Sequence, residues 1–526
     1  MIKYFKGISD IMDLQARWDL TEIFKDENEF LSKLNETELI CQKIKLYIDK
    51  VKKDPKSICD FFELEDLIYI ILGKFNVYLE LLELENIKNP NLEKLNSELK
   101  KVKNLIFEHI KEVKMNIASS DLDYLLKVYP KLFKYIDKIN ECLNIEENID
   151  DKCFTIYEKY EKLMNDIYDK DEEEAKYSKQ IANIFNDFFK YFTEEKDFLD
   201  DEAFNYGFEI RDLKKMFLKM KNNSFLNIDA ENILNNLITR ERKKINLLEA
   251  KNIILNSLNI FGKEYVQEVK NIFASRHIDY YPRDHKSFTE ATHFHPLFKA
   301  FASINYDEGI NGTRTLAHEL GHMVDNNMKE NKILAYFENI TIFSEFPSLL
   351  NELIVGDNVF KKANTLDEKI DILYNTLDVY FTNLIMCPIN INYFYNIFRE
   401  SQNGNIINEK KLNNILFSLN RKFNLNFTEN EWTTFDFSGE IFSPVPYFFG
   451  IIGATKALNL IQNKEFDFHE YIKILKTTDD GLSNYKKLNC NPYREINFVL
   501  EEYSRIIENF KDLLYEKEKG LIKKWK

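Results

Sequence analysis

The stretch Thr315-Leu316-Ala317-His318-Glu319-Leu320-Gly321-His322-Met323-Val324-Asp325 constrains this chain more than any other. On a helix, His318 and His322 stand one turn apart on the same face. Two imidazoles so placed can hold one metal ion, and Glu319 between them can turn toward the same cleft. A metal held this way acidifies a bound water and polarises a carbonyl while the glutamate moves protons. The other reading is two half-exposed helix histidines beside an ordinary surface glutamate. The five-residue pattern alone does not choose between them; the residues that surround it do.

A catalytic zinc needs three protein ligands and an open position. Glu345 lies 23 residues beyond His322, enough for a helix, a turn near Lys329 to Lys332, and a second helix carrying Phe343 to Glu352. Antiparallel packing of the two helices can bring Glu345 to the metal as the carboxylate ligand. Glu352, nearly two turns further on, shares that face and can accept the other ring N–H of a ligand histidine. As ordinary exposed glutamates, both would have no such role. Pro347 is expected to remove a hydrogen bond and bend this second helix. Asp325, three after His322, can pair locally or support a metal ligand from behind, the local role being the first choice.

The rest of the chain reads as helix. Only 14 Gly and 10 Pro occur in 526 residues, and the chain is rich in Leu, Ile, Lys and Glu. Apolar residues recur at helical spacing from about 28 to 145, as in Leu64, Leu67, Ile68, Ile71 and Leu72. Breaks are expected at Asp54-Pro55, Asn89-Pro90, Tyr129-Pro130, Cys387-Pro388 and Gln402-Asn403-Gly404. The Gly- and Pro-containing segment Phe437 to Gly453 is expected to be a further break. Asp19 or Thr21 is placed to cap a helix start, with Trp18 and Leu20 docking the preceding arm. The charged run Asp169 to Glu174 reads as a solvated face or connector.

The texture changes at 276–314, where His277, His285, His293 and His295 cluster. Phe301 to Tyr306 is expected to form a short strand, whose edge an extended peptide can join. Thr313 or Thr315 is expected to cap the helix that carries His318. On a strand, His293 and His295 would share a face. Substrate contacts, a second metal site and plain loop histidines all remain open for them, the last being the first choice.

Composition excludes some functions. A net charge of −15 argues against a nucleic-acid partner, whose affinity comes largely from basic groups on phosphate. Six scattered cysteines with no C-x-x-C pair read as reduced thiols, which places the chain in the cytoplasm. Met1 to Leu20 has no apolar signal region. Leu67 to Leu84 is broken by Lys74, Asn76 and Glu80, so no membrane span is expected.

Taken together, these residues resemble the thimet oligopeptidase family, and more closely its oligoendopeptidase F branch. Thr315 to His322 is similar to that branch's zinc signature, and Glu345, Ser348, Asn351 and Glu352 are similar to its third-ligand helix. Trp18-Asp19-Leu20, Phe301 to Asp307 and Asp479-Asp480-Gly481-Leu482-Ser483 resemble further segments of the family. The resemblance implies a mostly α, clam-like, two-domain metallopeptidase with a deep channel and a small β-sheet next to the zinc helix. The division expected is an N-terminal helical domain over 1–175 and a catalytic domain over 176–526. One Zn2+ per chain would be held by His318, His322 and Glu345, with Glu319 as general base. The substrates would be short unstructured oligopeptides, cut internally.

The chain also departs from the family, being shorter before the zinc helix. The family's late Gly-rich segment carries a histidine and several tyrosines that donate to the tetrahedral oxyanion. Here Ser443 to Gly453 holds no histidine and only Tyr447. Tyr447 is the candidate donor, or else it packs among Phe448 and Phe449. Two further readings follow: a catalytically weakened relative that binds peptides or a partner, and a helical zinc carboxypeptidase.

Overall fold

The computed structural model describes residues 16–143, 173–191, 198–221, 243–337, 340–423, 425–435, 437, 439–478 and 481–524, together with parts of 156–167. Most of the arm before Trp18, most of the run Asp169 to Glu174, and Asp479-Asp480 lie outside the described residues. Asp54 accepts the Lys56 N–H at 3.1 Å, and Pro55 pre-sets the first helical turn of α1, Pro55–Glu85. α2, Leu92–Ala118, follows the Asn89-Pro90 break. Its buried Leu95, Leu99, Val102, Ile106, Ile110, Val113 and Ile117 keep a three-and-four spacing. These helices bury Phe61, Phe62 and Phe75 in the first of two compact units, Met1–Asn148 with Asn271–Asn305.

The same unit contains a three-stranded sheet. β1 is Ile278–Asp279, β2 is Ala291–His295 and β3 is Phe298–Ser303. The order is β1-β3-β2, with β3 parallel to β1 and antiparallel to β2. The strand expected over Phe301 to Tyr306 therefore starts earlier and stops at Ser303, which pairs with Asp279 at the end of β1. Asp19 caps a short 3-10 turn, Leu20–Glu22, and Trp18 is buried edge-on against Phe301.

His293 and His295 have structural partners. His293 Nδ1 lies 3.1 Å from Glu80. His295 is fully buried, stacks on Phe298 and lies 2.8 Å from the Ile70 carbonyl. Burial pushes the His295 imidazole down to about 4, so it stays neutral in the sheet. Both stand on β2, so the loop reading gives way to a strand with a bulge between them.

The second unit is Ile149–Lys270 with Tyr306–Lys526. Its principal helices are α3 (Ile310–Met328), α4 (Phe346–Lys362), α5 (Leu366–Tyr380), α6 (Cys387–Gln402), α7 (Val445–Gln462) and α8 (Pro492–Lys524). α4 is the centre, with every residue from Phe346 to Gly356 buried. Such a helix must be met by neighbours on all sides. α3 meets it at Gly321, where a Cβ would stand 2.5 Å from the Ser348 Cα and 2.7 Å from the Pro347 carbonyl oxygen. α7 meets it at Gly450, where a Cβ would come within 3.0 Å of the Glu345 Cβ.

Four local expectations change here. The segment Phe437 to Gly453 is helical from Val445 onward, because its glycines let α7 pack closely; a Cβ at Gly453 would sit 2.2 Å from the Tyr485 ring. α3 begins at Ile310, capped by Asp307, whose Oδ1 accepts the Gly309 and Gly312 N–H groups at 2.9 and 2.8 Å. Thr313 lies inside α3 and donates to the Gly309 carbonyl at 2.8 Å. Pro347 occupies the first turn of α4, where an N–H has no helical partner to lose, so no bend is required. At Cys387-Pro388 the chain does not turn: a π-helical stretch, Phe381–Met386, joins α5 to α6 and absorbs the bond that proline cannot donate.

The chain is thus mostly α with one small sheet, as expected. No helix among the described residues is long and apolar enough to cross a membrane.

The α3–α4 contact has a direct test. Gly321→Ala drives a methyl group into backbone, which cannot rotate away, and is expected to destabilise the fold by ~1–3 kcal/mol. Urea unfolding measures this, and an unchanged midpoint would show that the helices can part freely.

Candidate active site

The close approach at Gly321 places the start of α4 beside the middle of α3. Asn351 ties the two helices together. Its Nδ2 donates to the Ala317 carbonyl at 3.2 Å, and its Oδ1 accepts the Tyr265 hydroxyl at 2.8 Å, all in buried surroundings. Glu345 sits at the N-cap of α4. Ser348 Oγ donates to its Oε2 at 2.8 Å and aims the carboxylate back across the helix start.

His318 Nε2 lies 3.4 Å from Glu345 Oε2, and His322 Nε2 lies 3.2 Å from the same oxygen. One ligand atom from each of the three residues falls within 4.8 Å of the others. Ligand atoms ~2.0–2.1 Å from a tetrahedral zinc stand ~3.3–3.4 Å apart. The two distances to Glu345 and the donor set, two imidazoles and one carboxylate, therefore fit a zinc ion with an open position. On its far side His318 Nδ1 lies 3.3 Å from Glu352 Oε2.

The electrostatics of the protein groups agree with that geometry. Burial disfavours a charged His318, but the carboxylates of Glu345 and Glu352, with Glu319 nearby, outweigh it and hold the imidazole well above its ordinary range. His322 is raised in the same way, chiefly by Glu345 against burial. Burial likewise opposes ionisation of Glu345, and the two histidines overcome it and hold the carboxyl well below its usual range.

Glu319 is buried on the same helix. Tyr447 stands in the first turn of α7. The Glu345 charge, then burial, then Glu319, raise its phenol above the ordinary value, and its hydroxyl hydrogen-bonds with Glu345. Thus the structure brings His318, Glu319, His322, Glu345, Glu352 and Tyr447 together, whereas His293 and His295 belong to the sheet of the other unit. Asp325 pairs locally, 3.0 Å from Lys329 Nζ.

Several supporting residues were not singled out by pattern. Arg314, four residues before His318, is buried with its Nε 3.5 Å from Glu352 Oε1. Tyr485 donates to the Ile342 carbonyl at 2.9 Å and shapes the turn that leads to Glu345. Tyr206 accepts the Ile342 N–H at 3.0 Å through its carbonyl, and its hydroxyl donates to Glu440. Glu202 Oε1 accepts the Phe442 N–H at 2.7 Å, just before α7. Lone buried side chains of this kind carry no sequence signal, because their partners lie on other elements, from 38 positions away for Arg314 and Glu352 to 240 for Glu202 and Phe442.

Burial pushes the Glu202 carboxyl up to about 8; the Phe442 N–H opposes the rise and the Glu440 charge adds to it. Its folded value lies above the unfolded one. The stability it contributes is therefore complete in acid and is lost as pH rises through about 8. Thermal midpoints should fall across that window in the wild type and fall less in Glu202→Gln. Parallel curves would remove Glu202 as the responsible group.

No protein-family model matches the chain. Oligoendopeptidase F (chromosomal) of Lactococcus lactis subsp. cremoris is 26% identical over 208 residues, which are 39% of this chain and 34% of that protein. The match thus spans about a third of the relative's length. In structure, oligoendopeptidase-F from Enterococcus faecium superposes with a TM-score of 0.62 at 13% identity, covering 93% of this chain and 99% of that one. Trypanosoma cruzi metallocarboxypeptidase 1 superposes with a TM-score of 0.50 at 10% identity, covering 85% and 98%. In sequence over part of its length, and in fold over nearly all of it, the chain is oligoendopeptidase F-like.

Proposed function

We propose that this chain is a zinc-dependent endopeptidase that hydrolyses internal bonds of short unstructured oligopeptides. The observation that carries the reading is the convergence of His318, His322 and Glu345 within 4.8 Å of one another, with Glu319 on the same helix. The sequence and fold similarity to oligoendopeptidase F supports the same class. One zinc per chain, bound by these three residues, would supply Lewis acidity to a water and to the scissile carbonyl.

The chain's own groups do the rest. Glu319 takes the proton of the attacking water and passes it to the leaving amine. Tyr447 donates its hydroxyl to the oxyanion that develops on the substrate carbonyl. Glu352 accepts the Nδ1 proton of His318 and so keeps Nε2 as the free lone pair. Ser348 holds the Glu345 carboxylate in place. The scattered cysteines support a cytoplasmic enzyme.

The fold similarity to a metallocarboxypeptidase favours one second reading, trimming from the C-terminus. Mass spectrometry of a library of peptides separates the two. The endopeptidase reading expects internal cuts that vanish with chelator and return with zinc, whereas a one-residue product ladder would replace it. Stoichiometric zinc without any cut would move the protein to a peptide-binding role.

Two variants test the assigned roles. Glu319→Gln should lower kcat by ~10²–10⁴ while zinc content stays at one per chain. Tyr447→Phe should lower kcat by ~10²–10³ with little change in KM. Full turnover in either variant would remove that residue from the mechanism.

A further inference from the structure

Behind the α3–α4 pair lies a cavity of about 170 Å³, walled by α4, α5, α7 and α8. Its walls include Leu353, Phe360, Leu373, Leu458 and Ile506, and Arg314 lines it as well. Arg314 is only 1% exposed. One of its N–H groups is accounted for: Nη1 donates to Thr376 Oγ1 at 3.1 Å. Nε comes no nearer than 3.5 Å to Glu352, outside good hydrogen-bond geometry, and Nη2 has no partner among the described residues.

A buried guanidinium with unmet donors is costly unless something receives them. The acids that share the cavity wall are already engaged. Asp357 pairs with Lys361 at 2.6 Å and accepts Gln462 at 3.1 Å, and Glu502 pairs with Arg505. On the α4 side the guanidinium packs against Gly356, where a Cβ would be in ordinary contact, 3.5 Å from its Cζ.

We propose that this cavity is a binding site for a small carboxylate with a branched apolar tail, its carboxylate received by Arg314 and its tail by the leucine and phenylalanine walls. The chemistry follows from the shape. A planar guanidinium pairs with a carboxylate through two parallel N–H···O bonds, and the apolar side chains among the lining residues receive the tail. A spherical halide would meet the donors but leave the apolar walls unfilled. None of the proposed metal ligands lines the cavity, which joins the metal centre only through the Arg314–Glu352 ion pair, and carboxylate binding there does not depend on the peptidase reading.

The test is calorimetric titration of the full chain with sodium isovalerate, acetate and chloride at constant ionic strength, both with chelator and with zinc. Saturable isovalerate binding is expected in both conditions, about tenfold tighter than acetate because more apolar surface is buried. Chloride should show no saturable binding. Arg314→Met should abolish the binding. Because that change sits in the core, Leu458→Trp serves as the second variant: it fills the cavity from a half-exposed position and should also abolish binding while circular dichroism stays native. Binding that needs zinc and survives Leu458→Trp would place the carboxylate on the metal and overturn the proposal. Equal affinity for chloride, or no binding to the wild-type chain, would overturn it as well.

Discussion

The backbone contact between Gly321 and the Pro347–Ser348 peptide is what the second unit depends on. A side chain at 321 would collide with α4, so α3 and α4 approach at a distance that only glycine permits. That distance puts the N-cap of α4 level with the two histidines. A neutral side-chain amide, Asn351, bridges to the α3 backbone at the same level. On the other side of α4, Gly450 allows α7 to close in and delivers Tyr447 to the same place. Three helices thus converge on Glu345 because two of them lack a side chain where they cross it.

This convergence buries charge. One Glu345 oxygen stands against both imidazoles, and the second carboxylate, Glu352, stands between His318 and Arg314. Isolated, each of these groups would be strongly disfavoured in such surroundings. Arranged as arginine, carboxylate, imidazole and carboxylate in succession, each ion faces an opposite or polarised neighbour. The arrangement fixes which nitrogen of His318 points to Glu345 and which to Glu352, and so it orients the ring before any ligand arrives.

The other unit treats its histidines differently. His295 stacks on Phe298 and contacts a main-chain carbonyl of α1, where burial holds it neutral. His293 pairs with a single surface glutamate. Residue type and clustering in the sequence are similar at 293–295 and at 318–322. What separates them chemically is whether carboxylates from other elements converge on the rings.

The local sequence carried the parts that depend on neighbours a few residues apart. The i, i+4 histidines, the Asp54-Pro55 helix start, the helical apolar spacing that α1 and α2 carry and the local pairing of Asp325 follow from short-range geometry and are found. The distance from His322 to Glu345 also left room for the antiparallel return that brings the two together. Tertiary packing decided the rest. It made Gly450 and Gly453 helical contacts where glycine ordinarily signals a break, and it carried the helix through Cys387-Pro388 by a π-turn. It also supplied Arg314, Tyr485 and Glu202 with partners far along the chain. Local propensity amounts to ~1 kcal/mol at a glycine, and the dense packing around α4 overrides it, so only the assembled helices determine what those residues do.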